Sequence, residues 1–237
     1  MRYFVVMPAA GSGRRFSASI PKQYAKLGGA TVIEHALAPF EADPDCAGIV
    51  VAVAADDTLW PAIAARRTRL IETAQGGSER AHSVHSGLIV LGSRVRDDDW
   101  IMVHDAARPC LAAEDLAVLK KELGAHEVGG LLAVPLADTL KRAADSGASS
   151  VVQSTIDRDG VWRAVTPQMF RFGTLLRALE LALHAQRSPT DEAQAVEWAG
   201  QRPRLVAGRA DNIKVTTTDD LRLATAILML RSTTEIA

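Results

Sequence analysis

Short apolar runs at Tyr3 to Met7, Ile49 to Ala54, Ile101 to Val103 and Leu131 to Val134 alternate with segments whose apolar positions recur about every 3.6 residues. Those segments, Val32 to Phe40, Leu59 to Ala65, Arg80 to Leu91 and Glu114 to Leu123, are predicted helices. Each is long enough to carry the chain from one parallel strand to the next. The pattern therefore predicts an α/β fold whose first half is an open parallel sheet.

The rhythm changes between Thr139 and Arg163. Two β-prone stretches, "TLKRA" and "SVVQSTI", flank "ADSGAS" and lead into the turn "DRDG", which predicts a hairpin-like arm. Helices are predicted again at Phe172 to Gln186 and Asp191 to Ala199, strands at Arg204 to Val206 and Ile213 to Val215, and a last helix at Thr218 to Leu230. In "TTTDDL", Thr218 is the expected N-cap, followed by acidic residues that suit the positive end of the helix dipole. No repeat or linker divides the chain. One domain over residues 1–237 is expected, with an inserted β-arm at about 139–163.

Composition sharpens this picture. The chain has 237 residues, 48% of them hydrophobic, enough for a sizeable core. Its apolar runs fall far short of the roughly 18 residues that a membrane helix needs, and the first strand starts at once, so a cytoplasmic protein without a membrane partner is expected. Cys46 and Cys110 are far apart in sequence and lack ligand partners at short spacing, so neither a disulfide framework nor a zinc site is suggested, and buried thiols are expected. A formal net charge of -1 argues against a general nucleic-acid surface.

Candidate chemistry gathers in the loops that follow strands, where open α/β sheets place their ligands. The first such loop opens "MPAAGSGRRFSASIPKQY". Gly11 and Gly13 let backbone N–H groups approach an anion, while Arg14, Arg15 and Lys22 supply charge for several phosphate oxygens. A polyphosphate fits. Phe16 breaks the dinucleotide glycine frame, and no Gly-Lys-Ser/Thr completes a Walker loop. The competing reading is a glycine-rich turn with solvated arginines. Two features oppose it: Pro21 stiffens the approach to Lys22, and lysines number only six in the chain.

Asp105, in "VHDAARP", is predicted at a strand tip, where a carboxylate could hold Mg²⁺ beside phosphates; capping or an ion pair with Arg108 is the alternative. His104 reads as a hydrogen-bonded structural residue, and His82 and His85 as surface or packing residues of their helix. In "GGSERAHSV" the two glycines leave room for a planar ring, and Arg80 opens a helix whose amino end attracts anions; an ordinary loop and helix cap is the alternative. "GRADNIKVTTTDDL" sets Asp211 and Lys214 around a short segment, a second charge pair for the same edge or a solvated turn.

Taken together, "PAAGSGRR", "PKQY", "GGSERAHSV", "VHDAARP", "DTLKR", "TPQMF", "TDEA" and "GRADNIKVT" resemble the 2-C-methyl-D-erythritol 4-phosphate cytidylyltransferase family, in one order from about Val5 to Leu230. The resemblance implies a Rossmann-like, mostly parallel nucleotidyltransferase sheet flanked by helices, and an arm that embraces a second subunit in a homodimer. It implies transfer of CMP from CTP to methylerythritol 4-phosphate with release of pyrophosphate, requiring Mg²⁺. Ala9, Ala10, Gly11, Gly13, Gly77 and Ser83 would bind CTP, and Pro8 and Ala106 are further substrate-binding positions. Arg15 and Lys22 would stabilise the transition state. Arg158 and Lys214 would position the acceptor phosphate, helped by Asp105, Arg108, Thr139, Thr166 and Thr190, with Asp105 also a candidate metal ligand. A cytidylyltransferase for another polyol phosphate, such as ribitol 5-phosphate, and a catalytically silent nucleotide-binding protein share the same opening loop.

Overall fold

A computed structural model describes residues 1–11, 20–67, 71–145, 147 and 150–234 of the chain. In chain order the elements are β1 (Tyr3–Pro8), β2 (Lys26–Leu27), β3 (Ala30–Thr31), α1 (Val32–Ala42), β4 (Cys46–Val53), α2 (Trp60–Ala64), β5 (Ile71–Gln75), α3 (Arg80–Leu91), β6 (Trp100–Val103) and α4 (Ala113–Leu123). They continue as β7 (Gly129–Pro135), β8 (Leu140–Ala143), β9 (Val152–Ile156), β10 (Trp162–Arg171), α5 (Phe172–His184), α6 (Glu192–Trp198), β11 (Arg204–Ala207) and α7 (Thr218–Thr234).

Among the described residues a seven-stranded sheet runs in the order β11-β7-β10-β6-β1-β4-β5. β1 lies between β4 and β6 and is parallel to both, with Val5 opposite Ile49 and Val6 opposite Val103. A strand covered on both faces must be apolar along its whole length, which is why "YFVVM" does not alternate. Its side chains still part by parity. Tyr3, Val5 and Met7 join the core that includes Ile33, Leu37, Phe40 and Leu119; Phe4 and Val6 join the one that includes Val84, Leu88, Leu175 and Leu179. α3 comes so close to the sheet that a Cβ on Gly87 would collide with Val6.

The sheet departs from the expected pattern at β10, a strand absent from the predicted elements, which runs antiparallel between β6 and β7. Pro167 argues against a central strand because it has no N–H for the ladder. The ladder yields around it: pairing with β7 passes from Ala164↔Ala133 to Gln168↔Leu131, so Val165, Thr166 and Pro167 bulge out of register. That bulge delivers Thr166 to the end of β6. The short edge strand β5 was likewise not predicted, since "IETAQ" carries too little apolar signal. Conversely, no strand forms at Ile213 to Val215. That segment crosses the strand ends, and Val215 N–H donates to Ala107 O rather than to a ladder.

The arm is present as a two-stranded antiparallel sheet of β8 and β9, separate from the seven-stranded sheet. Val151 and Val152, towards its tip, are 71% and 62% exposed. The last helix is capped one residue earlier than expected. Thr217 Oγ1 accepts from Asp220 N–H at 3.2 Å, and the Asp220 carboxylate accepts from Thr217 N–H at 2.8 Å, a reciprocal cap. No described helix is long and apolar enough to cross a membrane.

Candidate active site

The carboxyl ends of β1, β4 and β6 open on one edge of the sheet. Ala9 N–H extends the β1 ladder to Ala52 O, and Gly76 N–H bonds Val53 O, so residues 8–11 and 76–77 stand side by side. The fit needs a glycine, because a Cβ on Gly76 would collide with that of Ala10. Buried Gln23 donates from Nε2 to Ala9 O at 2.8 Å and Gly11 O at 3.4 Å, tying the loop after β1 to the turn that carries Lys22. Across the gap, Ser83 Oγ accepts from Gly77 N–H at 3.1 Å and donates to Glu79 O at 3.2 Å. The resulting cleft is lined by Pro8, Ala9, Ala10, Gly11, Lys22, Gln23, Gly77, Ser83, Asp105, Ala106 and Lys214, among others. Gly13, Arg14 and Arg15 lie outside the described residues.

A second pocket adjoins this cleft. Arg108, Thr166, Gln168, Thr190 and Asp191 line it, and Arg80, Asp105 and Lys214 line both cavities. Those three form the shared wall. Asp105 Oδ1 accepts from Arg80 Nε at 2.9 Å; its Oδ2 pairs with Lys214 Nζ at 2.9 Å and Arg108 Nε at 3.4 Å. Burial raises the Asp105 pKa, but Arg80, Lys214 and Arg108 outweigh it and hold the carboxyl well below the usual range. Behind the wall, Arg80 donates Nη1 and Nη2 to Glu192 Oε1 and Oε2 at 2.6 and 2.9 Å.

The wall is braced by neutral groups. Asp105 N–H donates to Thr166 Oγ1 at 3.1 Å, and that hydroxyl lies 2.9 Å from His104 Nδ1. His104 Nε2 faces Arg108 O at 3.1 Å, and a carbonyl can only accept, so Nε2 carries the proton and Nδ1 receives that of Thr166. Full burial lowers the His104 pKa to about 4, which keeps the ring neutral. The structural role expected of His104 is what it has. Asn212 donates Nδ2 to Thr166 O at 2.8 Å while its backbone carbonyl accepts from Arg108 Nη1 at 2.9 Å, so the 212–214 segment is seated where Lys214 meets Asp105.

Two predicted residues stand elsewhere. Thr139 and Arg158 are exposed on the arm and line neither cavity; Arg158 Nη1 donates to Ala137 O. Sequence reasoning did not single out Gln23, Glu192, Gln168 or Asn212 as site residues, although "PKQY", "TDEA", "TPQMF" and "ADNIK" contain them. The motif strings marked the loops, and only the fold shows which side chains turn inward.

The donor set does not suit a metal held by the protein. No cluster of three or more His, Cys, Asp or Glu side chains occurs among the described residues, and the Asp105 oxygens are already engaged by three cations. The ion pair with Arg108, the alternative left open by the sequence, is present.

The family model described as IspD: 2-C-methyl-D-erythritol 4-phosphate cytidylyltransferase matches residues 3–230. A protein of that name from Pseudomonas fluorescens strain SBW25 is 52% identical over 220 residues, covering 92% of each chain. A crystal structure of a 4-diphosphocytidyl-2C-methyl-D-erythritol synthase superposes with a TM-score of 0.82 at 40% identity, covering 96% of this chain and 98% of that one. The corresponding Francisella tularensis enzyme gives 0.79 at 34% identity, covering 96% and 100%.

Proposed function

The chain belongs to the 2-C-methyl-D-erythritol 4-phosphate cytidylyltransferase family and transfers CMP from CTP to that acceptor, releasing pyrophosphate, and we propose that its two adjoining pockets divide the substrates between them. The cleft beside residues 8–11 takes CTP, and the pocket with Arg108, Thr166 and Thr190 takes the acceptor. The observation that carries this division is the shared wall of Arg80, Asp105 and Lys214.

The chemistry asks little of proton transfer. A phosphate monoester has a second pKa near 6, so its dianion attacks the α-phosphorus of CTP without a general base. A new P–O bond forms as the α–β bridging P–O bond breaks, and the electron pair leaves with pyrophosphate. Charge then accumulates on the α-phosphoryl oxygens and the leaving group, where preorganised cations stabilise it. Lys22, in the cleft, and Arg15 supply those cations in this reading. Lys214, in the wall, meets the attacking phosphate. Mg²⁺ is the proposed metal, with no side chain assigned to hold it; when bound with CTP it would supply positive charge beside the triphosphate.

Arg158 and Thr139 serve in trans in this reading. The exposed Val151 and Val152 and the separate β8–β9 sheet suit an arm that covers a second copy of the chain, forming a two-fold homodimer. Pyrophosphate release from CTP and Mg²⁺ in the presence of a panel of polyol phosphates tests the substrate assignment. Methylerythritol 4-phosphate gives the highest kcat/KM, and a flat response across the panel contradicts it.

A further inference from the structure

Glu192 opens α6 and Arg80 opens α3, 112 positions apart, yet the Glu192 carboxylate takes both terminal nitrogens of that guanidinium. Glu192 is 1% exposed and lines neither pocket. It therefore cannot act by touching a substrate. Its own backbone is fixed from the acceptor side: Ala193 N–H donates to Gln168 Oε1 at 2.8 Å, and Gln168 Nε2 donates to Asp191 Oδ2 at 2.9 Å.

A buried carboxylate is costly to keep charged, and a bidentate arginine is what makes it tolerable. The reciprocal effect falls on Arg80. A guanidinium binds phosphate through the same forked edge that Glu192 occupies, and Arg80 stands in the wall of both pockets, beside both proposed phosphate sites. With that edge filled, Arg80 has Nε left for Asp105 Oδ1 at 2.9 Å. The contacts form one line, Glu192 to Arg80 to Asp105 to Lys214.

We propose that Glu192 is a positioning residue for the acceptor: by occupying the forked edge of Arg80 it aims the Nε of that cation at Asp105 and so fixes the Asp105 carboxylate in the pocket wall. The inference rests on the reading of the second pocket as the acceptor site.

The test is a double-mutant cycle in steady-state kinetics on Glu192→Gln, Asp105→Asn and the pair, with thermal melting of each protein. Glu192→Gln raises the acceptor KM about tenfold or more, the scale of a lost charged hydrogen bond, and leaves the CTP KM little changed. In the Asp105→Asn background the same substitution adds nothing further, because its route to the acceptor is already cut. Arg80→Lys, which keeps the charge but cannot grip two carboxylates, reproduces the acceptor-selective defect should Glu192→Gln fold poorly. Additive effects in the cycle, or an equal rise in both KM values, overturn the proposal. An Asp105→Asn protein with an unchanged acceptor KM overturns instead the acceptor assignment on which it rests.

Discussion

Lys214 Nζ lies 2.9 Å from Asp105 Oδ2, and this ion pair stands in the wall common to two cavities. The lysine comes from the segment before α7 and the aspartate from the end of β6, held together by Asn212, Arg108 and Thr166. One cation is thus presented to both cavities from a fixed place.

Asp105→Asn is expected to raise the acceptor KM by about tenfold or more, since the wall loses a charged partner for three cations. The Mg²⁺ concentration for half-maximal rate stays as in the parent. Measuring both constants on one preparation checks this, and a shifted Mg²⁺ requirement with an unchanged acceptor KM would make Asp105 a metal ligand after all.

Lys22→Ala and Arg15→Ala are expected to lower kcat about a hundredfold to a thousandfold, with a smaller loss of CTP affinity, because their charges matter most when the α-phosphoryl group gains charge. Equilibrium CTP binding beside turnover at saturation separates the two effects. Collapsed affinity with normal saturated turnover assigns these residues to binding alone.

Glu34 caps α1 through Thr31 and pairs with Arg66 and Arg67. Burial raises its pKa, but those bonds and charges win and lower it from 4.5 to about 2. A folded pKa below the unfolded one gives stability that is full above about pH 4.5 and is lost as pH falls toward about 2. Glu34→Gln therefore costs up to about 3 kcal/mol at neutral pH and progressively less on acidification, as urea melts across that range report. A cost independent of pH would place the effect elsewhere.

The elements legible in the sequence were those with a strong apolar signal. β1, β4, β6, β7 and the helices between them stand within a few residues of the predicted bounds, and α3 at the predicted ones. β5 is a polar edge and β10 carries Pro167, so each sends the wrong local signal and is fixed by its neighbours. The site followed the same division. Lys22, Asp105 and Lys214 were legible as charges suited to phosphate, Ser83 and Thr166 only through the family resemblance, and the fold brings all of them to one edge. The bond between Arg80 and Glu192 joins two helices far apart in sequence, and no spacing rule contains it.

Mixing Lys22→Ala with Arg158→Ala chains by unfolding and refolding tests the homodimer. About half the dimers are mixed and each restores one site, so about a quarter of all sites work. Activity no higher than the sum of the separate variants, with mixed dimers shown to form, rules out a site shared between subunits.

The division of substrates between the two pockets is tested most directly by steady-state kinetics of Ser83→Ala and Thr190→Val measured side by side. Each removes one hydroxyl, a loss worth about 1 kcal/mol or roughly fivefold. The expected result is crossed: Ser83→Ala raises the CTP KM and spares that of the acceptor, whereas Thr190→Val raises the acceptor KM and spares that of CTP. Equal effects of either variant on both constants, or the opposite crossing, would contradict it.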